Sequence, residues 1–180
     1  MKHVAFFRNL NLGRPKCPSK AQFEAAFLEA GAPTASSFLT NGTIVFEAPS
    51  AAAAKKLLVT ASETMHGECG LVEPAFLRTV KQLAGLAKDA PFDHVDEGSV
   101  YARCITFLHP KARLAPEDLP IATPRGDCHI FASTGAEVFS TVQKNGNTVG
   151  NPNGLLEKLL QLPATSRNWN TVVRLLDKHG

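Results

Sequence analysis

Apolar and polar positions in the first half of the chain follow two periods, one typical of strands and one typical of helices. A β-prone apolar run predicts a first strand over His3–Leu12, and Ser19 is the predicted N-cap of the helix that follows. A second helix, rich in alanine, is predicted from Ser50 to about Met65. A further strand is predicted over Leu71–Leu77.

Between the two helices, the chain carries a strong hairpin signal. Two short β-prone runs, Ser36–Thr40 and Thr43–Glu47, are separated only by Asn41-Gly42. Asn-Gly tolerates the positive φ angles of a tight two-residue turn. We therefore predict that these runs pair with each other and that Gly42 has a positive φ.

The second half mixes helices and strands with a long proline-containing segment. Residues 109–127 are predicted to be irregular, with at most one short helix near Pro116–Leu119. The other predicted elements are a helix at Val80–Lys88, a strand at Ser99–Leu108, a hairpin of His129–Ser133 with Glu137–Val142, and helices at Leu155–Gln161 and Asn168–Lys178.

These elements predict an α+β fold in two halves. The order β-α-β-β-α-β in residues 1–78 is that of a ferredoxin-like arrangement, and the right-handed crossover rule leaves few other ways to place both helices on one face of one sheet. Residues 79–180 form a second, smaller α+β half in this prediction, packed with the first.

The composition of the chain argues against several classes of protein but does not identify a function. The chain has 180 residues, of which 44% are hydrophobic, and a formal net charge of +3, which is well below that of a dedicated nucleic-acid binder. The N-terminal apolar run ends at Arg8 and is too short for a signal peptide, and no run is long enough to span a membrane. We therefore expect a cytoplasmic protein without membrane contact. The sequence does not indicate its oligomeric state.

No pattern of metal-binding or catalytic residues is present in the sequence. The four cysteines are scattered, and His66 with Cys69 is a lone pair at ligand spacing, so we predict neither a metal nor a cofactor. The chain lacks Gly-x-Ser-x-Gly, both glycine-rich phosphate-binding patterns and His-Glu-x-x-His. An enzyme without a recognisable motif stays open as an alternative.

Two polar clusters are the candidate binding residues. The first follows the first strand and contains Arg8, Asn9, Asn11, Gly13, Arg14 and Lys16. The second, Arg167, Asn168 and Asn170, lies at the predicted start of the last helix, where free N–H groups and the helix dipole favour an anion. We predict that these clusters hold a small anionic or polar ligand between the two halves.

Other interpretations of the same residues stay open. The first cluster could satisfy buried backbone groups, and the second could cap the last helix through Thr165, Ser166 or Asn168. An RNA- or DNA-binding module would use aromatic residues on an open sheet face, with Phe6 or Phe7 and Phe46 as the available rings. No aromatic-rich run supports that alternative, and we do not expect nucleic acid to be the partner.

Several segments resemble a known bacterial family. Arg8–Gly13, Phe38–Phe46 and Arg78-Thr79 resemble the first-strand, hairpin and helix-entry motifs of the domain-of-unknown-function 1697 family. Pro163–Val172 resembles its C-terminal signature, which is long and specific. Asn9 departs from the family pattern, which has glycine there. The resemblance implies two α+β halves with a ferredoxin-like first half, and it implies no activity.

Overall fold

The computed structural model describes residues 1–180. The chain forms two compact units. Residues 1–84 together with 178–180 make the first unit, and residues 85–177 make the second. Both units combine helices with antiparallel sheets, so the predicted α+β class is confirmed. No helix combines the length and the apolar character that crossing a bilayer requires.

The first unit contains a four-stranded sheet in the order β2-β3-β1-β4, in which every neighbouring pair is antiparallel. Its elements are β1 (Lys2–Phe7), α1 (Lys20–Glu29), β2 (Ala35–Phe38), β3 (Thr43–Glu47), α2 (Ala51–Cys69) and β4 (Ala75–Thr79). The next helix, α3 (Val80–Lys88), has the bounds that its sequence predicts.

The core of the first unit is built from alternate residues of β1 and one face of α1. Phe7 meets the edge of Phe23, with ring centroids 5.4 Å apart. Phe27 packs against Phe46 of β3 at 4.8 Å. Each of these four rings is fully buried. Burial of one such side chain stabilises the fold by about 1.5–3 kcal/mol, so this cluster fixes α1 against the sheet.

The predicted helix caps of this unit are confirmed. Ser19 accepts a hydrogen bond from the N–H of Gln22, whose side chain accepts one from Ser19 in return. Ser50 accepts from the N–H of Ala53. The predicted end of α2 near Met65 is too early, because the helix continues to Cys69, and Gly70, one of the two glycines expected to end it, is its C-cap. With a φ of 75°, Gly70 adopts the left-handed conformation that closes helices at little cost.

Two strands of this unit are shorter than predicted. β1 ends at Phe7 instead of Leu12, since Asn9 has a φ of 49° and turns the chain out of the extended conformation. The N–H of Arg8 donates to the carbonyl of Pro74 at 2.9 Å, after which the chain leaves the sheet. β4 likewise begins at Ala75, after a segment that follows Gly70 without pairing.

The hairpin pairs as predicted, but its turn is longer. Phe38 is opposite Thr43, so four residues connect the strands where two were predicted. The φ of Gly42 is 68°, which confirms the predicted positive angle. A Cβ atom on Gly42 would lie 2.7 Å from the Cβ of Leu10. Glycine is therefore required by a close approach of the loop after β1 as well as by the turn.

The second unit contains a five-stranded antiparallel sheet in the order β11-β5-β8-β7-β6. Its strands are β5 (Ala102–Leu108), β6 (Ile121–Ala122), β7 (Cys128–Ser133), β8 (Glu137–Val142) and β11 (Ala164–Asn168). A small ribbon is formed by β9 (Lys144–Asn145) and β10 (Thr148–Val149), and the helices are α4 (Pro152–Leu160) and α5 (Trp169–His179). Short 3-10 turns occur at Glu97–Ser99 and Pro116–Asp118.

The main departure from prediction in this unit is β11, since its polar residues were interpreted as the approach to a helix. Ala164–Asn168 pairs along its whole length with β5 at the edge of the sheet. The hydroxyls of Thr106 and Ser166 meet across this pair at 2.7 Å. An edge strand pairs on one side only and carries polar side chains easily, so its hydrophobic pattern is weak.

Candidate ligand site

The loop after β1 is held in one conformation by backbone hydrogen bonds. The N–H of Leu12 donates to the carbonyl of Thr40, and that of Gly13 to Pro18, each at 2.9 Å. Within the loop, the N–H of Cys17 donates to the carbonyl oxygen of Arg14 at 3.0 Å. The motifs around Arg8 and around the hairpin, which are separate in sequence, are therefore in direct contact. Such anchoring makes the loop a preorganised support for side chains.

Two non-glycine residues of this loop have left-handed backbone conformations. The φ angles are 49° at Asn9 and 59° at Lys16. Asparagine enters this region fairly readily, whereas lysine gains nothing from its side chain there. A left-handed residue other than glycine costs about 1–2 kcal/mol. Strain of this kind persists where surrounding structure enforces it, and it is often found at ligand sites.

Both residues line a cavity of about 180 Å³, which we call the loop cavity. One wall is the loop after β1, and the other is the segment between α2 and β4. The residues around the loop cavity are Asn9, Pro15, Lys16, Cys17, Gly70, Leu71, Val72 and Glu73. Lys16 is exposed at its rim and has no carboxylate partner within the chain.

Glu73 is the acidic group of the loop cavity. Its Oε2 accepts a charge-assisted hydrogen bond from Nη1 of Arg8 at 2.7 Å. Its Oε1 has a long contact of 3.4 Å with Nδ2 of Asn9. The side chains of Arg8 and Glu73 are 26% and 27% exposed, so the pair is only partly shielded from water. The sequence prediction included Arg8 and Asn9 but missed Glu73, which lies 65 residues from Arg8.

The remaining residues of the first predicted cluster shape the loop from outside the loop cavity. Asn11, Gly13 and Arg14 are exposed and do not line it. The carbonyl of Asn11 accepts from the N–H of Arg14 at 3.1 Å. Gly13 has a φ of 79° and open space where a Cβ would be. These three residues therefore contribute backbone geometry near the site.

The sequence context of Arg167 indicated an exposed position just before the last helix. The structure places the residue elsewhere. It belongs to β11 and is 7% exposed. Its Nη1 donates to Oγ1 of Thr165 and to the carbonyl of Ser166, both at 2.9 Å. Burial lowers the pKa of the guanidinium to about 10. The contacts are those of a buried structural arginine.

Asn168 and Asn170 belong to a polar network at the start of α5. The side chain of Asn168 accepts from the N–H of Asn170 at 2.9 Å, which is the contact of a capping residue. Nδ2 of Asn170 donates to Glu97 at 3.1 Å, and Nη2 of Arg103 donates to Oδ1 of Asn170 and to Glu97 at 2.9 Å each. The carboxylate of Glu97 thus lies beside the helix start, where an external anion was predicted. Glu97 and Arg103 were missed because only folding brings them to this position.

The predicted clusters therefore lie in different units. Arg8, Asn9, Asn11, Gly13, Arg14 and Lys16 belong to the first unit, and Arg167, Asn168 and Asn170 belong to the second.

The residues named in the alternative interpretations have structural partners. Phe7 and Phe46 belong to the core beneath the first sheet, and Phe6 is also fully buried. These rings are therefore not exposed for base stacking. Nδ1 of His66 lies 3.1 Å from the carbonyl oxygen of Leu71. The thiol of Cys69 donates to the carbonyl oxygen of Met65, also at 3.1 Å.

Comparison with known proteins identifies a family and a fold. No curated protein matches the chain. The chain is similar to a solved structure described as that of conserved bacterial protein SP0830 from Streptococcus pneumoniae, with a TM-score of 0.64 and 15% sequence identity. The match covers 98% of this chain and 97% of that one, and at this identity it bears on the fold alone. The model of the family described as protein of unknown function (DUF1697) matches residues 1–139. The chain therefore belongs to the DUF1697 family.

Proposed function

We propose that this protein binds a small anionic or polar ligand in the loop cavity of its first unit. The observation that carries the proposal is Lys16, an exposed lysine in a left-handed backbone conformation at the rim of that cavity. Glycine would occupy this position at lower cost. A lysine here has a conformational cost of about 1–2 kcal/mol, which is understandable if its ammonium group is used.

The opposite wall supplies further donors. The backbone N–H groups of Leu71, Val72 and Glu73 donate to no acceptor within the chain. An N–H group without a partner can donate to an anion that it faces, and the ammonium group of Lys16 adds a full positive charge. Lys16 and this segment line the same cavity. The combination favours a carboxylate or phosphate oxygen.

The size of the loop cavity limits the ligand. Pockets for drug-sized molecules and cofactors usually have volumes of about 300–1,000 Å³. The loop cavity, at about 180 Å³, suits a smaller molecule, such as a short carboxylic acid or inorganic phosphate. A nucleotide would extend well outside it.

The fold around this site is proposed to be ferredoxin-like. The element order β-α-β-β-α-β and the antiparallel strand order β2-β3-β1-β4 support that assignment. The earlier prediction that a ligand lies between the two halves stays a prediction, and the proposal for the loop cavity does not depend on it.

The direct test is a titration of isotopically labelled protein with inorganic phosphate and with acetate. We expect saturable shifts of the backbone amides of residues 70–73 and 16–17 at millimolar ligand. Lys16→Gly should abolish those shifts because the ammonium group is lost. The same variant should fold at least as stably as the wild type, since glycine relieves the left-handed strain.

A matched control separates the site from the general charge of the protein. Lys81 is an exposed lysine of α3 and does not line the loop cavity. Lys81→Ala should retain the shifts of the wild type. Equal responses in Lys16→Gly and the wild type would contradict the proposal, as would amides that do not respond in the wild type.

A further inference from the structure

The loop cavity contains an acceptor as well as a cation, and this limits the chemistry of the ligand. Glu73 lines the same cavity as Lys16. Of its two carboxylate oxygens, Oε2 is held by Arg8 at 2.7 Å. Oε1 has only the 3.4 Å contact with Asn9. A carboxylate offers about four lone-pair sites, so Glu73 retains capacity to accept a hydrogen bond at Oε1.

We infer that the ligand is a small carboxylic acid that also carries a hydrogen-bond donor, either a hydroxyl or an ammonium group, and that Glu73 recognises this donor. The inference rests on the proposed function and names the ligand class for the same site. Lys16 binds the ligand's carboxylate, and an unpaired N–H group of the facing segment Leu71–Glu73 adds a donor. Oε1 of Glu73 accepts from the donor.

The charges of the site are consistent with this class. Arg8 neutralises Glu73 through their ion pair, and Lys16 adds one further positive charge. A hydroxy acid carries one negative charge and matches that excess. An amino acid is neutral as a zwitterion, and its ammonium group interacts more strongly with Glu73. Both types share a carboxylate and a nearby donor.

Recognition of the donor follows from desolvation. We expect a ligand in the loop cavity to displace water from Oε1 of Glu73, since Glu73 lines that cavity and its side chain is partly exposed. If the ligand lacks a donor, a charged acceptor loses its water and gains no partner. Sites built to hydrogen-bond a hydroxyl or amino group reject analogues that lack it for this reason. Acetate should therefore bind more weakly than its hydroxyl- or amino-substituted relatives.

The test compares acetate, glycolate and glycine in the same amide titration. In the wild type, we expect glycolate or glycine to bind at least about ten times more tightly than acetate, as for one charge-assisted hydrogen bond. The stronger of the two identifies the donor as hydroxyl or ammonium. Glu73→Gln should reduce the preference for glycine over acetate, because the amide has no charge. Glu73→Ala should remove the preference of the site for glycolate and glycine over acetate, because no carboxylate remains to accept from the donor.

The outcomes separate the inference from the proposed function. If acetate, glycolate and glycine bind with equal affinity to the wild type, the inference is wrong and anion binding at the loop cavity stands. A preference that persists in both Glu73 variants would also overturn it. If neither these compounds nor inorganic phosphate shift the amides of residues 70–73, both ideas fail. Amide spectra without ligand show whether each variant is folded, and Lys81→Ala provides the control for charge.

Discussion

At the scale of single residues, left-handed backbone positions divide into those that need glycine and those that do not. Gly13 and Gly42 both have positive φ angles, of 79° and 68°. A Cβ on Gly13 would meet nothing within 4 Å, whereas a Cβ on Gly42 would lie 2.7 Å from Leu10. The two glycines therefore separate the cost of backbone strain from the cost of a steric clash.

We expect Gly42→Ala to destabilise the protein more than Gly13→Ala. Gly13→Ala should cost about 1 kcal/mol through strain alone. Gly42→Ala adds overpacking against Leu10, for a total of about 2–4 kcal/mol. Urea unfolding of the two variants and the wild type measures the difference. Equal losses in the two variants would show that the loop after β1 moves away from Gly42 without cost.

At the scale of elements, the edge strand β11 contains a buried arginine. Arg167 is 7% exposed and donates to a hydroxyl and a carbonyl on its own strand. Burial lowers its pKa to about 10, which is still above neutral pH, so the guanidinium stays charged despite the cost of desolvation. These bonds satisfy the buried guanidinium from within β11, while residues 164–168 join the sheet through their backbone pairing with β5.

Arg167→Ala should lower the free energy of unfolding by about 2–3 kcal/mol, since hydrogen bonds from a charged donor are lost and buried acceptors remain. Arg174, which is exposed on α5, provides the control. Arg174→Ala should change stability by less than about 0.5 kcal/mol. Chemical denaturation followed by tryptophan fluorescence reports on both, because Trp169 is the only tryptophan and follows β11 directly. A loss below about 0.5 kcal/mol in Arg167→Ala would contradict the structural role.

At the scale of the whole molecule, the last residues of the chain belong to the same unit as its first strand. Residues 178–180 belong to the first unit, although the rest of α5 belongs to the second. Nζ of Lys2 donates to the carbonyl of His179 at 2.8 Å. A lysine at the end of a helix satisfies a carbonyl that has no partner within the helix. This contact ties the C-terminus of the chain to its first strand.

Two histidines make the first unit sensitive to acid. His3 is 1% exposed and stacks on Phe46 at 5.8 Å, and burial together with the N-terminal amine lowers its pKa. The pKa of His179 is lowered by burial and by Lys178 and Lys2. Because both pKa values lie below the ordinary 6.5, the unfolded state binds protons first as the pH falls. The contribution of these two histidines to the free energy of unfolding is therefore fully present above pH 6.5 and is lost as the pH falls through their folded-state pKa values.

The expected result is a lower melting temperature at pH 5 than at pH 7.5. His3→Leu should reduce that difference, since a buried apolar side chain has no proton to gain. His179→Gln should also reduce the difference in melting temperature between the two pH values, independently of His3→Leu. Calorimetry at several pH values measures each contribution, and His94→Gln in the second unit serves as the control. An unchanged pH dependence in the double variant of His3 and His179 would show that other groups control acid unfolding.

Local signals in the sequence predicted much of the fold correctly. The caps Ser19 and Ser50, the helix Val80–Lys88 and the positive φ of Gly42 are all in the structure. Each of these depends on a few neighbouring residues: a side-chain oxygen near a free N–H, an apolar period, or a residue without a Cβ. The sequence also drew attention to Arg8 and Asn9, because arginine and asparagine are unusual within a β-prone run, and their role as ligand-binding residues stays a prediction.

What the sequence by itself determined is thus most of the local elements and the polar loop after β1, but not the edge strand β11. Only the tertiary structure placed Glu73 beside Arg8, buried Arg167 in β11 and set Glu97 at the start of α5. The physical reason is that a sequence pattern records which residues are apolar and how they repeat, and polar partners carry no such period. Contacts between residues more than 60 positions apart depend on strand register and loop closure, which are decided when the core packs.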